Sequence, residues 1–157
     1  MAIEIERKFL VRDLAFLAGH DGVRIAQGYL STTPESTVRV RLSGDQAWLT
    51  IKGRNQGARR LEFEYPVPVG DAQQLLALCQ AGRIDKTRYR VPIGEHVWDV
   101  DVFHGDNDGL VVAEVELGDE QEDFVRPSWL GDEVTDDPRY FNSALSELPF
   151  CRWPGRT

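Results

Sequence analysis

Apolar and polar positions alternate through most of the chain. Ile3, Ile5, Phe9 and Val11 share one parity, interrupted by Arg7, and Glu4, Glu6 and Lys8 share the other, so 3–11 reads as a β-strand. A short helical or irregular piece follows, and then a second strand over 23–31 (VRIAQGYLS). Residues 37–54 (TVRVRLSGDQAWLTIKGR) read as a hairpin around Ser43-Gly44-Asp45. The stretch 59–69 (RRLEFEYPVPV) alternates again until its prolines. The period then changes. Asp71 is the expected cap of a helix over 72–81, with Ala72, Leu75, Leu76 and Cys79 on one side and Gly82 as its stop. Three further strands follow at 84–93, 96–105 and 110–118, the last two joined by a turn at Asp106-Asn107-Asp108-Gly109. PSWLG (127–131) reads as a short turn or helix. Residues 136–148 carry an Asp before Pro at a first helical position, which starts a helix, and 149–157 reads as terminal coil. No linker, fixed-period repeat or low-complexity segment interrupts 1–157, so one domain is expected. The strands, about eight, are joined mostly by short loops, which favours antiparallel pairing and permits closure into a barrel.

Sorting each strand by parity separates the charges. Val38, Val40 and Leu42 oppose Arg39 and Arg41; Leu49 and Ile51 oppose Thr50 and Lys52; Leu61, Phe63 and Tyr65 oppose Glu62 and Glu64. Thr87, Tyr89 and Val91 oppose Lys86, Arg88 and Arg90; Trp98, Val100 and Val102 oppose Asp99 and Asp101; Ala113, Val115 and Leu117 oppose Glu114 and Glu116. Strand by strand, a solvated polar face is the ordinary reading. Like charges two residues apart, repeated in strand after strand, repel unless something of opposite sign lies between them. The alternative is an inside-out barrel. Its charged parity lines an open, water-accessible lumen, and its apolar parity packs outward, covered in part by the 72–81 helix and the terminal helix. Trp48 and Trp98 are expected on that outer face.

Acidic residues number 26 against 18 basic ones, a net charge of −8, which argues against a general nucleic-acid or anionic-membrane binder. No apolar run is long enough to span a membrane, no signal peptide is expected, and Cys79 and Cys151 suggest no disulfide framework, so a cytoplasmic protein is expected. Carboxylate clusters bind hard cations, Mg2+ or Mn2+ best, while Lys and Arg clamp phosphate oxygens. Both in one cavity make the inventory for phosphoryl or nucleotidyl transfer. His20, His96 and His104 have no metal-ligand spacing, the serines lack a G-x-S-x-G context, and no phosphate-binding glycine loop is present.

Glu4, Glu6 and Lys8 form an E-x-E-x-K motif that resembles the signature of the CYTH domain, or triphosphate tunnel metalloenzyme, superfamily. QGYL, VRVR, TIKG, EFE, KTRY, DVDVF, GLVVAEVEL and GDEVTDDPRYFNSAL follow in order, so the resemblance covers nearly the whole chain. It implies a β-dominated α+β fold, an eight-stranded antiparallel β-barrel with a charged tunnel and helices outside. It also implies a small-molecule triphosphate substrate and Mg2+ or Mn2+, with two ions expected, and neither nucleic acid nor membrane; a homodimer is left open. By position, Glu4, Glu6, Glu114 and Glu116 resemble metal ligands, with Asp101 close by in the same metal set and Glu62 and Glu64 completing the acidic side, as ligands or through water. Lys8, Arg39, Arg41, Lys52, Lys86 and Arg88 resemble the triphosphate clamp, and Glu4, Glu6, Lys8 and Lys86 are the expected catalytic set. Asp99 and Arg90 have the right parity for a tunnel mouth. Glu133 and Thr135 are expected to cap the final helix or close one end, and Arg139, Tyr140 and Asn142 to be structural. Similarity to the bacterial inorganic triphosphatases implies hydrolysis of tripolyphosphate to pyrophosphate and phosphate, by a water attacking a terminal phosphorus in line. A class IV-like adenylate cyclase, a thiamine or nucleoside triphosphatase and a non-catalytic polyphosphate-binding module are the alternatives. No inserted segment suggests a base-binding pocket.

Overall fold

A computed structural model describes residues 2–79 and 81–155; Gln80 of the expected helix and Arg156 and Thr157 of the tail lie outside the described residues. The alternating stretches become β1 (Ile3–Val11), β2 (Val23–Ser31), β3 (Thr37–Ser43), β4 (Gln46–Lys52), β5 (Arg59–Pro66), β6 (Ile84–Ile93), β7 (His96–Phe103), β8 (Val111–Glu116) and β9 (Leu130–Glu133). Two α-helices, α1 (Val69–Leu78) and α2 (Asn142–Glu147), interrupt and follow them. The sheet runs β5-β4-β3-β2-β6-β7-β8-β1, and β5 returns to pair with β1, which closes an eight-stranded antiparallel barrel. Ile3 sits opposite Leu61 at that seam.

The ninth strand corrects the reading of 127–131 as a turn or helix. Past the seam β1 runs out of partner on its β5 edge, and β9 takes over, with Phe9 opposite Glu133 and Val11 opposite Leu130. The Glu6 N–H donates to the Ala58 carbonyl and the Val134 N–H to the Lys8 carbonyl, so both neighbours use the same edge of β1. Glu133 and Thr135 hold this strand. Glu133 grips Arg7 (2.6 Å), and Thr135 Oγ1 accepts from the Lys8 N–H.

The apolar parity faces outward and is covered in two places. α1 lies over β2, β3 and β4, where Ala72 and Leu76 pack on Val40 and Ala47. It starts at Val69 after Pro68 and ends at Leu78, so Asp71 lies inside the first turn and is not the cap. Gly28 of β2 permits this approach, because a Cβ there would lie 2.7 Å from Cys79 Sγ. The second cover is the segment 118–130 over β1, β7 and β8, where Phe9, Trp98, Phe124 and Trp129 meet edge to face. Phe9 and Trp98 are fully buried, and burying side chains of this size stabilises by about 2–3 kcal/mol each. Trp98 is thus on the outer face as expected. Trp48 is not: it pairs with Arg41 and shares the parity of Thr50 and Lys52, the inner face.

α2 does not lie on the outside. On the inner parity, Lys8, Gln27, Lys86, Asp101 and Glu114 are each followed, at the next inner position of the same strand toward one barrel end, by Leu10, Tyr29, Ile84, Phe103 and Val112. Leu145 of α2 and Trp153 of the tail pack onto Tyr29, Ile84, Phe103 and Val112. The terminal helix therefore plugs the β6–β8 side of one barrel end. A short 3-10 turn at Pro138–Tyr140 feeds it, started by Asp137, whose side chain accepts from the Arg139 N–H. A second 3-10 turn, Phe150–Arg152, replaces the expected coil. No described helix is long and apolar enough to cross a membrane.

Candidate active site

Strand order converts a scatter of charged strands into two continuous arcs. Going round the barrel, β7, β8, β1 and β5 carry Asp99, Asp101, Glu114, Glu116, Glu4, Glu6, Glu62 and Glu64. The other half, β4, β3, β2 and β6, carries Lys52, Arg39, Arg41, Lys86, Arg88 and Arg90. Lys8 is a cation inside the acidic arc, and Gln27 is the neutral polar residue of the basic one. Both arcs face a cavity of about 160 Å³ inside the barrel.

The arcs meet at two borders, and both are ion-paired. At one, Lys52 lies opposite Glu62 and its Nζ is 3.2 Å from both Glu4 and Glu62. At the other, Arg88 lies opposite Asp101 and Arg90 opposite Asp99. The middle of the acidic arc is different. Glu6 sits directly opposite Glu116, and Glu114 opposite Asp99, with Lys8 Nζ 3.8 Å from Glu114. Burial and the neighbouring Glu114 and Glu4 carboxylates hold Glu6 well above the usual carboxylate range. Burial acts on Glu114 in the same sense but is outweighed by Lys8 and by a hydrogen bond with Glu6, which keep it well below that range. Glu6 and Glu114 are thus driven in opposite directions. Glu4 and Glu62 divide in the same way. Against burial, Lys52 brings Glu4 down to about 2, while burial and the hydrogen bond with Glu4 raise Glu62. Burial also raises Glu116 and Asp99.

This donor set fits a hard divalent cation. It is all oxygen, it is anionic, and its like-charge pairs are the arrangement that such an ion relieves. Among the described residues no three acidic side chains close around a single point; the carboxylates turn instead to Lys52 and Lys8. Glu4, Glu6, Glu114 and Glu116 all line the cavity, as do Glu62 and Glu64 on the β5 side.

The basic arc is held in readiness by residues that are not themselves cations. Gln27 Oε1 accepts from Arg41 Nε, and Gln27 Nε2 donates to Asn142 Oδ1, which also accepts from Lys86 Nζ at 2.9 Å. Lys86 is 1% exposed, and burial with Arg88 and Arg41 nearby pushes it down to about 7 against the pull of Asp101. Burial and the neighbouring Arg39 and Arg88 lower Arg41 to about 9. Arg39 Nη2 reaches Thr50 at 3.1 Å and Glu64 at 3.5 Å, while its buried Nε has no hydrogen-bond partner among the described residues. An unpartnered guanidinium donor on the wall of a cavity is a ready contact for an anion.

Of the residues singled out from the sequence, Glu4, Glu6, Lys8, Arg39, Arg41, Lys52, Glu62, Glu64, Lys86, Arg88, Glu114 and Glu116 all line the one cavity. Asp101 stands behind it. It is fully buried, with both oxygens taken by Arg88 (2.8 and 2.9 Å) and one also by Lys86 (2.7 Å). Asp99 lines the mouth, and Arg90 is 73% exposed there, 3.6 Å from Asp99. The sequence reading missed Arg60, Tyr29, Thr37, Phe141 and Ser143, and it assigned Asn142 a structural role only; all six line the cavity. Arg60 has the parity of Glu62 and Glu64, so the rule that found those two also reaches it. Phe141, Asn142 and Ser143 follow the last strand and carry no period that betrays them.

The CYTH domain family matches residues 2–147. An inorganic triphosphatase of Acetivibrio thermocellus is 46% identical over 151 residues, 96% of this chain and 97% of that protein. An inorganic triphosphatase of Nitrosomonas europaea is 38% identical over 148 residues, 91% and 96% of the two chains. The crystal structure of an inorganic triphosphatase, 34% identical, superposes with a TM-score of 0.66 and covers 90% of this chain and 96% of its own. The charged barrel and these matches together make this chain a member of the CYTH domain family.

Proposed function

We propose that this protein hydrolyses inorganic tripolyphosphate to pyrophosphate and phosphate inside the barrel, with Mg2+ or Mn2+ as the required ion. The observation that carries this reading is the division of the lumen into one acidic and one basic arc on opposite sides of a narrow cavity. The basic arc offers the charge that a linear polyanion needs, and the carboxylates opposite offer the oxygens that would hold divalent ions. Relatives named inorganic triphosphatases that align over nearly the full chain support the same substrate.

Glu4, Glu6, Glu114 and Glu116 would hold the ions, assisted by Glu62 and Glu64. Held there, a divalent ion would supply Lewis acidity that makes a water more acidic and offsets phosphate charge. Lys8, Arg39, Arg41, Lys52, Lys86 and Arg88 bind the phosphate oxygens and stabilise the charge that develops on the pyrophosphate leaving group. Asp101 keeps Arg88 and Lys86 aimed into the lumen, a positioning role, since its own oxygens are already engaged. Asn142 and Gln27 fix Lys86 and Arg41 from the other side. Both cysteines are free, in keeping with a reducing cytoplasm.

The test is phosphate release from tripolyphosphate, pyrophosphate, ATP and thiamine triphosphate, each with Mg2+, Mn2+ or EDTA, with nucleotide products identified. Metal-dependent release from tripolyphosphate that is lost in Glu114→Gln supports the assignment. Cyclic nucleotide from ATP without tripolyphosphate turnover, or release that survives EDTA, would overturn it.

A further inference from the structure

The plug does not close its barrel end evenly. Leu145 and Trp153 pack shut the β6–β8 side. On the side of β3 and β5 the tunnel meets a second cavity of about 460 Å³, and Thr37, Arg60, Phe141 and Ser143 line both. Phe141 alone of these four has no polar side-chain group. Its backbone is pinned: the N–H donates to the Pro138 carbonyl, and the carbonyl accepts from the Leu145 N–H. Its ring lies against two cations, with Lys8 Nζ 5.3 Å and the Arg60 guanidinium carbon 5.9 Å from the centroid. Arg60 is tied in turn to Asn55 Oδ1 through Nη1 (3.0 Å) and reaches Glu4 through Nε (3.5 Å).

A linear polyphosphate poses a problem that charge does not solve. Its phosphate groups repeat, so a chain shifted by one group offers a basic wall the same chemistry again. Lys8, Lys86 and the arginines of the basic arc hold such a chain, but they do not by themselves select which phosphorus faces Glu6 and Glu114. The space beyond the partition has room for a shifted chain. Thr32, Asn55 and Arg60 stand there as donors, beside the carboxylates of Asp136 and Glu147. A rigid apolar group across the path stops the slide, because a ring offers an anion neither a hydrogen bond nor a charge in exchange for water.

We propose that Phe141 is an end-stop that sets the register of the phosphate chain in the tunnel. The inference rests on the reading of the tunnel as a tripolyphosphatase site. The stop belongs to the same short segment as part of the clamp: Asn142, the next residue, accepts from Lys86 Nζ at 2.9 Å. One segment thus places the end of the chain and one of the cations that hold it. With the stop in place, tripolyphosphate has one position along the tunnel. Without it the chain gains a second position, displaced toward the other cavity, in which the reacting phosphorus has left the carboxylates.

Phe141→Ala removes the ring, Phe141→Leu keeps much of its bulk, and Phe141→Val stands in if the alanine variant does not fold. Initial rates of phosphate release with Mg2+ or Mn2+ are read for tripolyphosphate and for linear tetrapolyphosphate. An added unproductive position lowers kcat and KM in parallel. On tripolyphosphate, Phe141→Ala should therefore lower both by about threefold or more and leave kcat/KM within about twofold. Tetrapolyphosphate fills the added space and still presents a phosphorus to the carboxylates, so its kcat/KM relative to tripolyphosphate should rise by about threefold or more. Phe141→Leu should return both measures toward wild type. A lowered kcat/KM with unchanged or raised KM would make Phe141 a structural or affinity residue and overturn the stop, as would wild-type kinetics on both substrates. Metal-dependent tripolyphosphate turnover in the wild type alongside either result would leave the tunnel reading intact, whereas no wild-type turnover would overturn both.

Discussion

Asp101→Asn is the most informative single change, because three short contacts converge on one buried carboxylate. Arg88 engages it at 2.8 and 2.9 Å and Lys86 at 2.7 Å, with Asp101 and Lys86 almost wholly excluded from solvent. Hydrogen bonds to charged groups are each worth about 1.5–3 kcal/mol, and removing one partner of a buried pair destabilises by about 3–5 kcal/mol. An asparagine keeps one acceptor oxygen for Arg88, which places the expected loss near the lower end of that range. Lys86 adds a pH signature. It titrates at about 7 in the fold, where Asp101 raises it, against an ordinary value of 10.5. A folded value below the unfolded one means that wild-type stability rises with pH from about 7 towards 10.5 and is lowest below 7. Without Asp101 the folded value drops further, so the variant loses most below pH 7, where wild-type Lys86 is charged, and less at pH 9, where it is neutral in both. Asp101 itself, brought down to about 2 by Arg88 and Lys86 against burial, stays ionised throughout. Urea unfolding of both proteins at pH 6 and pH 9 measures this directly. Tripolyphosphate should restore part of the stability, since its charge faces the same two cations. A variant within about 1 kcal/mol of wild type at pH 6 would refute the account of Asp101 as the counter-ion of a buried cation pair.

The remaining predictions divide between lumen and outer face. Glu6→Gln removes a carboxyl whose raised value reflects burial and repulsion by Glu114 and Glu4, so it should leave the melting temperature unchanged or higher while weakening Mg2+ or Mn2+ binding by about tenfold or more in calorimetry. Undiminished metal affinity would remove Glu6 from the ligand set. Asn142→Ala frees both Lys86 and Gln27 and should raise the KM for tripolyphosphate by about tenfold; a normal KM with a lowered melting temperature would make Asn142 structural only. Gly28→Ala drives a methyl into Cys79 Sγ at 2.7 Å and should destabilise by about 1–3 kcal/mol, relieved in part by adding Cys79→Ala. Additive losses in chemical denaturation would show that the two residues do not compete for the same space.

Parity alone located the wall of the tunnel, because a strand's side chains have no freedom to choose another face once one face is apolar. That is why Glu4, Glu62, Arg39 and Glu114, far apart in sequence, line one cavity. The same rule failed for Trp48, where bulk and hydrophobicity suggested the outer face and register decided for the inner one. It fell short for β9, since four residues, LGDE, offer too short an alternation to distinguish a strand from a turn. The plug was partly visible. Leu10, Ile84, Phe103 and Val112 continue the charged parity as apolar residues, and an inner face that turns apolar at one end implies a cover. What supplies that cover, Leu145 and Trp153, comes from the last part of the chain and has no local signal.

The two arcs were the least legible feature and the most consequential. Each strand's sign is local information, but adjacency is not. β1 pairs with β8 and β5, and β2 with β6, through contacts distant in sequence. If strands of alternate sign were neighbours, every charge would be neutralised across its own ladder, as Arg88 and Asp101 are, and the lumen would be a closed ion-pair lattice with no affinity left for a ligand. Segregation concentrates ion pairs at the borders, leaves Lys8 and Arg60 as the cations within the acidic half, and sets Glu6 against Glu116 and Glu114 against Asp99 in between. That arrangement is unfavourable in the free protein and is relieved when cations enter the acidic half and phosphates the basic half. The same topology that makes the empty barrel electrostatically frustrated therefore makes a metal–polyphosphate complex its natural counterpart.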